Sequence, residues 1–125
     1  MGSNKHSLTD DQRKLQPLSP AIFFVLFALA DGEKHGYAIM QRTVLLSNAN
    51  FRMGPGTLYT TIQRLVELQL IEEILNADET DTRRRYYRLT GAGELLLEAE
   101  LGRIRDVLET ARNMKIVIAG RSPTT

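Results

Sequence analysis

From residue 19 onward, apolar and polar positions fall into stretches with distinct periods. Ser19-Pro20 opens the first. A hydroxyl that can accept from a first-turn amide is followed by a proline whose fixed φ suits the first helical position. The ten residues Ala21-Ile-Phe-Phe-Val-Leu-Phe-Ala-Leu-Ala30 are then apolar on every face. A surface helix shows a stripe instead, so this one is expected to touch both the domain core and something outside it, such as a second subunit. Asp31-Gly32 ends it. A second helix is predicted from about Gly36 to Leu46, with Tyr37, Met40 and Val44 at i, i+3, i+7 forming its apolar face. Asn48-Ala-Asn50 and Gly54-Pro-Gly56 bracket a long connection. A third helix begins near Pro55. Leu58, Ile62, Leu65 and Leu68 or Gln69 face inward, leaving Tyr59, Thr60, Gln63, Arg64 and Glu67 outside.

The period then changes from about 3.6 to 2. Ile71 to Leu75 reads as a strand, although Glu72-Glu73 breaks strict alternation. Asn76 to Thr82 is a polar loop, and Arg84 to Leu89 alternates as the returning strand of a hairpin. Thr90 can cap a last helix whose first turn carries Glu94 to complement the helix dipole. From Leu97 the spacing is four, three, four, three through Leu101, Ile104, Leu108 and Ala111, a heptad seam of about two repeats. The predicted fold is mainly α with a small β-hairpin, a winged helix-turn-helix followed by a C-terminal dimerisation helix. Its parts are a flexible N-terminal arm or short extra helix over 1–17, the winged domain over 18–89, the last helix over 90–118 and a tail over 119–125.

Composition narrows the choices. The chain has 125 residues, a net charge of +1, no cysteine and two histidines, His6 and His35. No disulfide framework, thiolate metal site or histidine cluster is expected. Ala21 to Ala30 is far short of the ~20 residues that span a bilayer, and no signal-peptide pattern opens the chain. The expected location is the cytoplasm, with no membrane partner. An enzyme is not expected: no carboxylate pair lies beside a base, Gly54-Pro-Gly56 lacks the lysine of a phosphate loop, and His35 reads as structural.

With so small a net charge, any nucleic-acid footprint must be local. DNA binding needs cations for the phosphates and side chains in a groove for sequence. The third helix offers both kinds: Gln63 and Arg64 suit adenine and guanine edges, Tyr59 and Thr60 share their exposed face, and Thr57 lies in a first turn that favours anions. Arg83-Arg84-Arg85 is the densest basic cluster, and strand alternation turns Arg83 and Arg85 one way and Arg84 the other. The plain alternative is a solvated face, with Asp78, Glu79 and Asp81 neutralising the arginines across the hairpin. That acidic loop predicts that the base of the wing, not its tip, approaches the backbone. Tyr37, Tyr86 and Tyr87 read as core or interface residues.

Several segments in this order and spacing resemble the PadR family of transcriptional regulators. They are Ala30-Asp-Gly32, His35-Gly-Tyr-Ala-Ile39, Gly56-Thr-Leu-Tyr59, Arg64-Leu65, Leu70-Ile-Glu72 and Arg85-Tyr-Tyr-Arg-Leu-Thr-Gly91. The resemblance implies a winged helix, a last helix exchanged across a homodimer, and repression by operator binding that a small effector relieves in many members. Two positions depart from the pattern: Thr60 stands where proline is common, and Gln69 where glycine would supply a left-handed helix cap. The absence of tryptophan speaks against a planar-drug sensor.

The resulting expectation is a homodimeric repressor on an inverted-repeat operator in double-stranded DNA. Its half-sites would lie about one turn, ~34–36 Å, apart. Thr57, Tyr59, Thr60, Gln63, Arg64, Arg83, Arg84 and Arg85 are the expected DNA contacts. Ile22, Phe23, Leu26, Leu97, Leu101, Ile104, Leu108 and Ala111 are the expected dimer contacts. No cofactor is expected, but a small apolar or aromatic effector is, between the subunits. The competing expectation is a winged-helix module that binds an acidic protein and no specific DNA.

Overall fold

The computed structural model describes residues 7–75 and 84–116. Five helices and three short strands follow in the order α1 (Asp10–Arg13), α2 (Pro20–Ala28), β1 (Lys34–His35), α3 (Gly36–Leu46), α4 (Pro55–Glu67), β2 (Ile71–Ile74), β3 (Tyr86–Leu89) and α5 (Gly91–Asn113). The architecture is a winged helix with a long helix appended. Arg83 and the acidic loop residues Asp78, Glu79 and Asp81 lie outside the described residues.

Of the two expectations for the N-terminal segment, an arm or a short extra helix, the described residues contain the helix, α1. Thr9 and Gln12 make a reciprocal capping box at the start of α1. Gln12 is buried and donates its side-chain amide to the Leu68 carbonyl at 2.8 Å. A buried amide with its partner satisfied resists removal, so α1 is fastened to the far end of α4.

α2 begins as the sequence predicts, with Ser19 accepting the Ile22 amide. Ile22, Val25, Leu26, Ala28 and Leu29 are buried, and α2 packs on α3, α4 and α5. Ile22 and Leu26 therefore belong to the core of a single chain, as does Leu97 of α5. All three were expected at a subunit interface, and they are correspondingly unavailable to one. Each large apolar side chain so placed contributes about 1.5–3 kcal/mol of burial. Phe23 and Phe27 remain half-buried against that core.

The buried face of α3 also differs from the expected one. It carries Gly36, Ile39 and Thr43, while Tyr37 is 59% exposed. Thr43 tolerates burial because its hydroxyl donates to the Met40 carbonyl at 2.8 Å, leaving only its methyl to pack. α4 buries Leu58, Thr61, Ile62 and Leu65, close to the predicted face.

The sheet has one strand more than the hairpin. β3 pairs antiparallel with β2, Glu72 opposite Arg88, and on its other edge with β1, His35 opposite Tyr86. Two residues carry no alternation, so β1 is invisible in the sequence pattern.

α3, α4 and α5 all end without glycine. Asn48, Gln69 and Lys115 take left-handed φ values of 53°, 62° and 62°. After α4, the Gln69 amide donates to the Val66 carbonyl and the Leu70 amide to the Leu65 carbonyl, the paired bonds of a left-handed cap. Gln69 thus supplies the turn that a glycine was expected to supply. The end of α4 is then tied to α5: the Thr90 hydroxyl donates to the Gln69 carbonyl at 2.7 Å and accepts the Gly93 amide at 3.0 Å.

Candidate nucleic-acid interface

α4 starts at Gly54-Pro55-Gly56 with no side-chain cap on its first-turn amides. Thr57, Tyr59, Thr60, Gln63 and Arg64 are all exposed. Helical periodicity of about 100° per residue sorts them into two adjoining stripes. Thr57, Thr60 and Arg64 share one at i, i+3, i+7. Tyr59 and Gln63 share the other, which faces the wing.

Between that second stripe and β3 lies an open groove of about 740 Å³. Tyr59, Gln63, Val66 and Glu67 form its α4 wall, Arg84, Arg85 and Tyr87 its wing wall, and His35 and Tyr37 its end. The groove therefore brings together four of the predicted DNA contacts, Tyr59, Gln63, Arg84 and Arg85. Thr57, Thr60 and Arg64 stand on the neighbouring stripe of the same helix.

The wing arginines are already engaged. Arg85 lies 3.3 Å from Glu73 and Arg88 lies 2.7 Å from Glu72. Cross-strand register explains the second pair, because directly opposed residues share a face. The two glutamates that spoil alternation in β2 are thus ionic partners of the wing. Exposed pairs of this kind contribute at most about 1 kcal/mol, so a phosphate can exchange for either carboxylate at small cost.

Tyr87 is buried beneath the wing, and that burial, with the Glu73 charge, pushes its phenol above the ordinary tyrosine value. It remains a neutral packing residue. Tyr59 by contrast is 51% exposed.

His35 occupies a position that its sequence context does not reveal. Its Nδ1 accepts the Ala38 amide at 3.3 Å and so caps α3. Its ring stands edge-on to Tyr86, with centroids 5.4 Å apart, and its Nε2 lies 3.3 Å from Nη1 of Arg84. The turn that delivers it is braced by Asp31, which binds Lys34 and, at 2.9 Å, Arg42. The Lys34 hydrogen bond, assisted by the charges of Lys34 and Arg42, holds the Asp31 carboxyl below its usual value.

Among the described residues no group of three or more His, Cys, Asp or Glu could hold a metal ion. Nor, among the described residues, is any helix long and apolar enough to cross a membrane.

Relatives agree with this architecture. The chain is 37% identical over 101 residues to a transcriptional regulator of Mycobacterium tuberculosis, an alignment covering 80% of this chain and 84% of that protein. It is 42% identical over 80 residues to an uncharacterised 37.1 kDa protein in a transposon of Streptomyces fradiae, where the match takes in 64% of this chain but 21% of the longer protein. A PadR family regulator from Clostridium difficile superposes with a TM-score of 0.64 at 23% identity, covering 77% of this chain and 98% of that one. PadR of Bacillus subtilis, solved in complex with operator DNA, superposes with a TM-score of 0.57 at 19% identity over 88% of this chain and 52% of its own. The model of the transcriptional regulator PadR-like family matches residues 25–99, from the middle of α2 through the wing and into α5, and this chain belongs to that family of regulators, which are not enzymes.

Proposed function

We propose that this chain binds double-stranded DNA sequence-specifically as a homodimer and represses transcription in the cytoplasm. The observation that carries the reading is the groove in which Tyr59 and Gln63 of α4 meet Arg84 and Arg85, the two residues that lead into β3. The exposed Thr57, Thr60 and Arg64 stripe enters the major groove, and the wing base follows the flanking backbone. The Bacillus neighbour was solved on its operator, which supports the same docking here. Homodimerisation rests on the outer face of α5, where Leu101, Ile104, Val107 and Leu108 are exposed.

Induction by a small apolar or aromatic effector rests on a different surface. Phe23, Phe24 and Phe27 are half-buried, with ring centroids 5.0 Å (Phe23–Phe24) and 5.4 Å (Phe23–Phe27) apart, and Phe24 stacks on Phe51 at 5.4 Å. Such a cluster would accept a small apolar guest.

A gel shift against DNA upstream of the gene, with random DNA as competitor, tests the reading. A band resistant to competitor supports it. No band, or one that random DNA removes equally well, would leave the winged-helix interaction module as the better account.

A further inference from the structure

Ion pairing singles out an arginine in the turn before α4. The sequence carries 16 lysines and arginines against 15 acidic residues, nearly one carboxylate for each cation. Apart from Arg52, Arg64 and Arg84, every described arginine stands in an ion pair, and Arg84 is engaged with His35 at 3.3 Å. Among the described arginines, Arg52 and Arg64 alone have neither an ion pair nor a hydrogen bond, and both are exposed. Arg64 belongs to the outer stripe of α4. Arg52 belongs to no helix or strand.

Its backbone is nevertheless pinned on both sides. Ser47 is buried, and its hydroxyl accepts the Phe51 amide and donates to the Phe51 carbonyl, each at 3.1 Å. Phe51 stacks on Phe24 of α2, with ring centroids 5.4 Å apart, and Met53 is buried in the core. Asn48 and Ala49, with left-handed φ values of 53° and 63°, turn the chain back into this position. Exposure alternates over 50–54, as along an extended chain, so Arg52 points away from the core that Phe51 and Met53 enter. An anion that binds this guanidinium displaces no carboxylate, and the chain beneath it is already ordered.

We infer that Arg52 binds a phosphate of the duplex backbone at the edge of the groove that α4 enters. The inference rests on the DNA-binding reading and adds to it a contact outside both helix and wing. Two residues of chain span at most about 7 Å, which keeps Arg52 beside Gly54 at the start of α4. Arg64 lies about 15 Å further along the helix axis from Gly54. A helix crossing a groove about 12 Å wide that sets Arg64 against base edges brings Arg52 to a bounding strand. The approach is open: a β-carbon on Gly54 or Gly56 would meet nothing within 4 Å.

The test compares the full-length parent with Arg52→Ala and Arg52→Lys, on DNA upstream of the gene and on random duplex, between about 50 and 200 mM salt. Arg52→Ala should weaken binding to both DNAs by the same factor and lower the salt slope by about 0.9 per subunit. Its deficit against the parent should therefore shrink about three- to fourfold per subunit over that range of salt. Arg52→Lys should keep the parent slope, because lysine serves a phosphate as a point charge. The Tm of Arg52→Ala should match the parent's, since the side chain holds nothing within the fold.

A loss confined to the upstream DNA would make Arg52 a reader of bases and overturn the phosphate assignment. A lower Tm for Arg52→Ala, with lysine no better than alanine on DNA, would assign the side chain to packing and overturn it as well. If the parent binds DNA and Arg52→Ala equals it in affinity and slope, the inference ends and the regulator reading stands. Parent protein that binds neither DNA removes both.

Discussion

The hydroxyl of Tyr59 occupies the space that a side chain on Gly36 would need: a β-carbon there would sit 2.3 Å from the phenolic oxygen. α4 and the start of α3 are held at a separation that a glycine at position 36 allows. The obstructing atom is the far end of a half-exposed side chain, so it can move. Gly36→Ala should therefore swing Tyr59 out of the groove and leave stability within about 1 kcal/mol of the parent. Thermal melting checks the second part, and DNA affinity, expected to fall, checks the first. A loss of several kcal/mol would show that Tyr59 cannot yield.

Gly93 presents the opposite case. A β-carbon there would lie 2.0 Å from the Leu70 carbonyl oxygen, and that oxygen is fixed because it accepts the Thr90 amide at 3.1 Å. Alanine is the better helix former by about 1 kcal/mol, yet backbone against backbone cannot relax. Gly93→Ala should cost at least about 2 kcal/mol net, seen as a fall in denaturation midpoint at unchanged slope.

The end of α4 offers a gain. Gln69 holds a φ of 62°, a region that costs an L-residue roughly 1–2 kcal/mol. The bond from Thr90 goes to its backbone carbonyl, so nothing is lost with the exposed side chain. Gln69→Gly should stabilise the chain by about 0.5–1 kcal/mol after the entropy of glycine is set against the relieved strain. Calorimetry should show a higher Tm, and an unchanged or lower one would mean that the left-handed turn is not strained here.

These positions show what the sequence discloses and what it withholds. Helix and strand periods located α2, α3, α4, the hairpin and α5, because amphipathic repetition is written residue by residue. Pairings between distant segments are not. Nothing in Lys34-His35 announces a sheet edge, and nothing in Gln12 announces a partner at Leu68. Burial was misjudged where one helix had too many apolar faces to rank. Ile22 and Leu26 went to a supposed interface, and Tyr37 to a core that Ile39 and Thr43 fill instead. At the candidate site, exposed polar residues on α4 and the arginines leading into β3 were legible by chemistry alone. His35 was not, since its importance lies in which atoms its two nitrogens face.

Glu100 gives the fold a pH dependence. It is 2% exposed and lies 2.7 Å from Arg103. The Arg103 hydrogen bond, opposed by burial and reinforced by the Arg103 charge and the Leu18 amide, holds its carboxyl below the usual glutamate value. A carboxyl with a depressed folded pKa contributes stability above its unfolded pKa and loses it as pH falls through the folded one. Stability should drop on acidification below the ordinary glutamate range, and the Glu100→Gln chain should lose less over the same interval. Glu100→Ala, which removes the buried carboxylate that Arg103 bonds, should cost about 1–3 kcal/mol near neutrality. Denaturant titrations at neutral and acidic pH distinguish these outcomes, and parallel pH profiles for parent and Glu100→Gln would assign the acid sensitivity to other carboxyls.

The heptad seam of α5 divides between two roles. Leu97 is 5% exposed and serves the chain's own core, whereas Leu101 and Ile104 are 37% and 41% exposed. Beyond Glu100 almost every residue of the helix faces solvent, so a stripe of Leu101, Ile104 and Leu108 on a helix of this length is stable in water chiefly when covered. A second copy of the same stripe covers it by the packing of a short coiled coil. Ile104→Asp places a charge at the centre of that seam while touching nothing in the monomer core. It should turn a dimer into a monomer in sedimentation, keep the circular dichroism of the winged domain, and weaken operator binding by uncoupling the two half-sites. Leu97→Ala should instead lower stability by about 2–5 kcal/mol. If Ile104→Asp sediments as the parent does, self-association runs through another face, and the half-buried phenylalanines of α2 become the place to look.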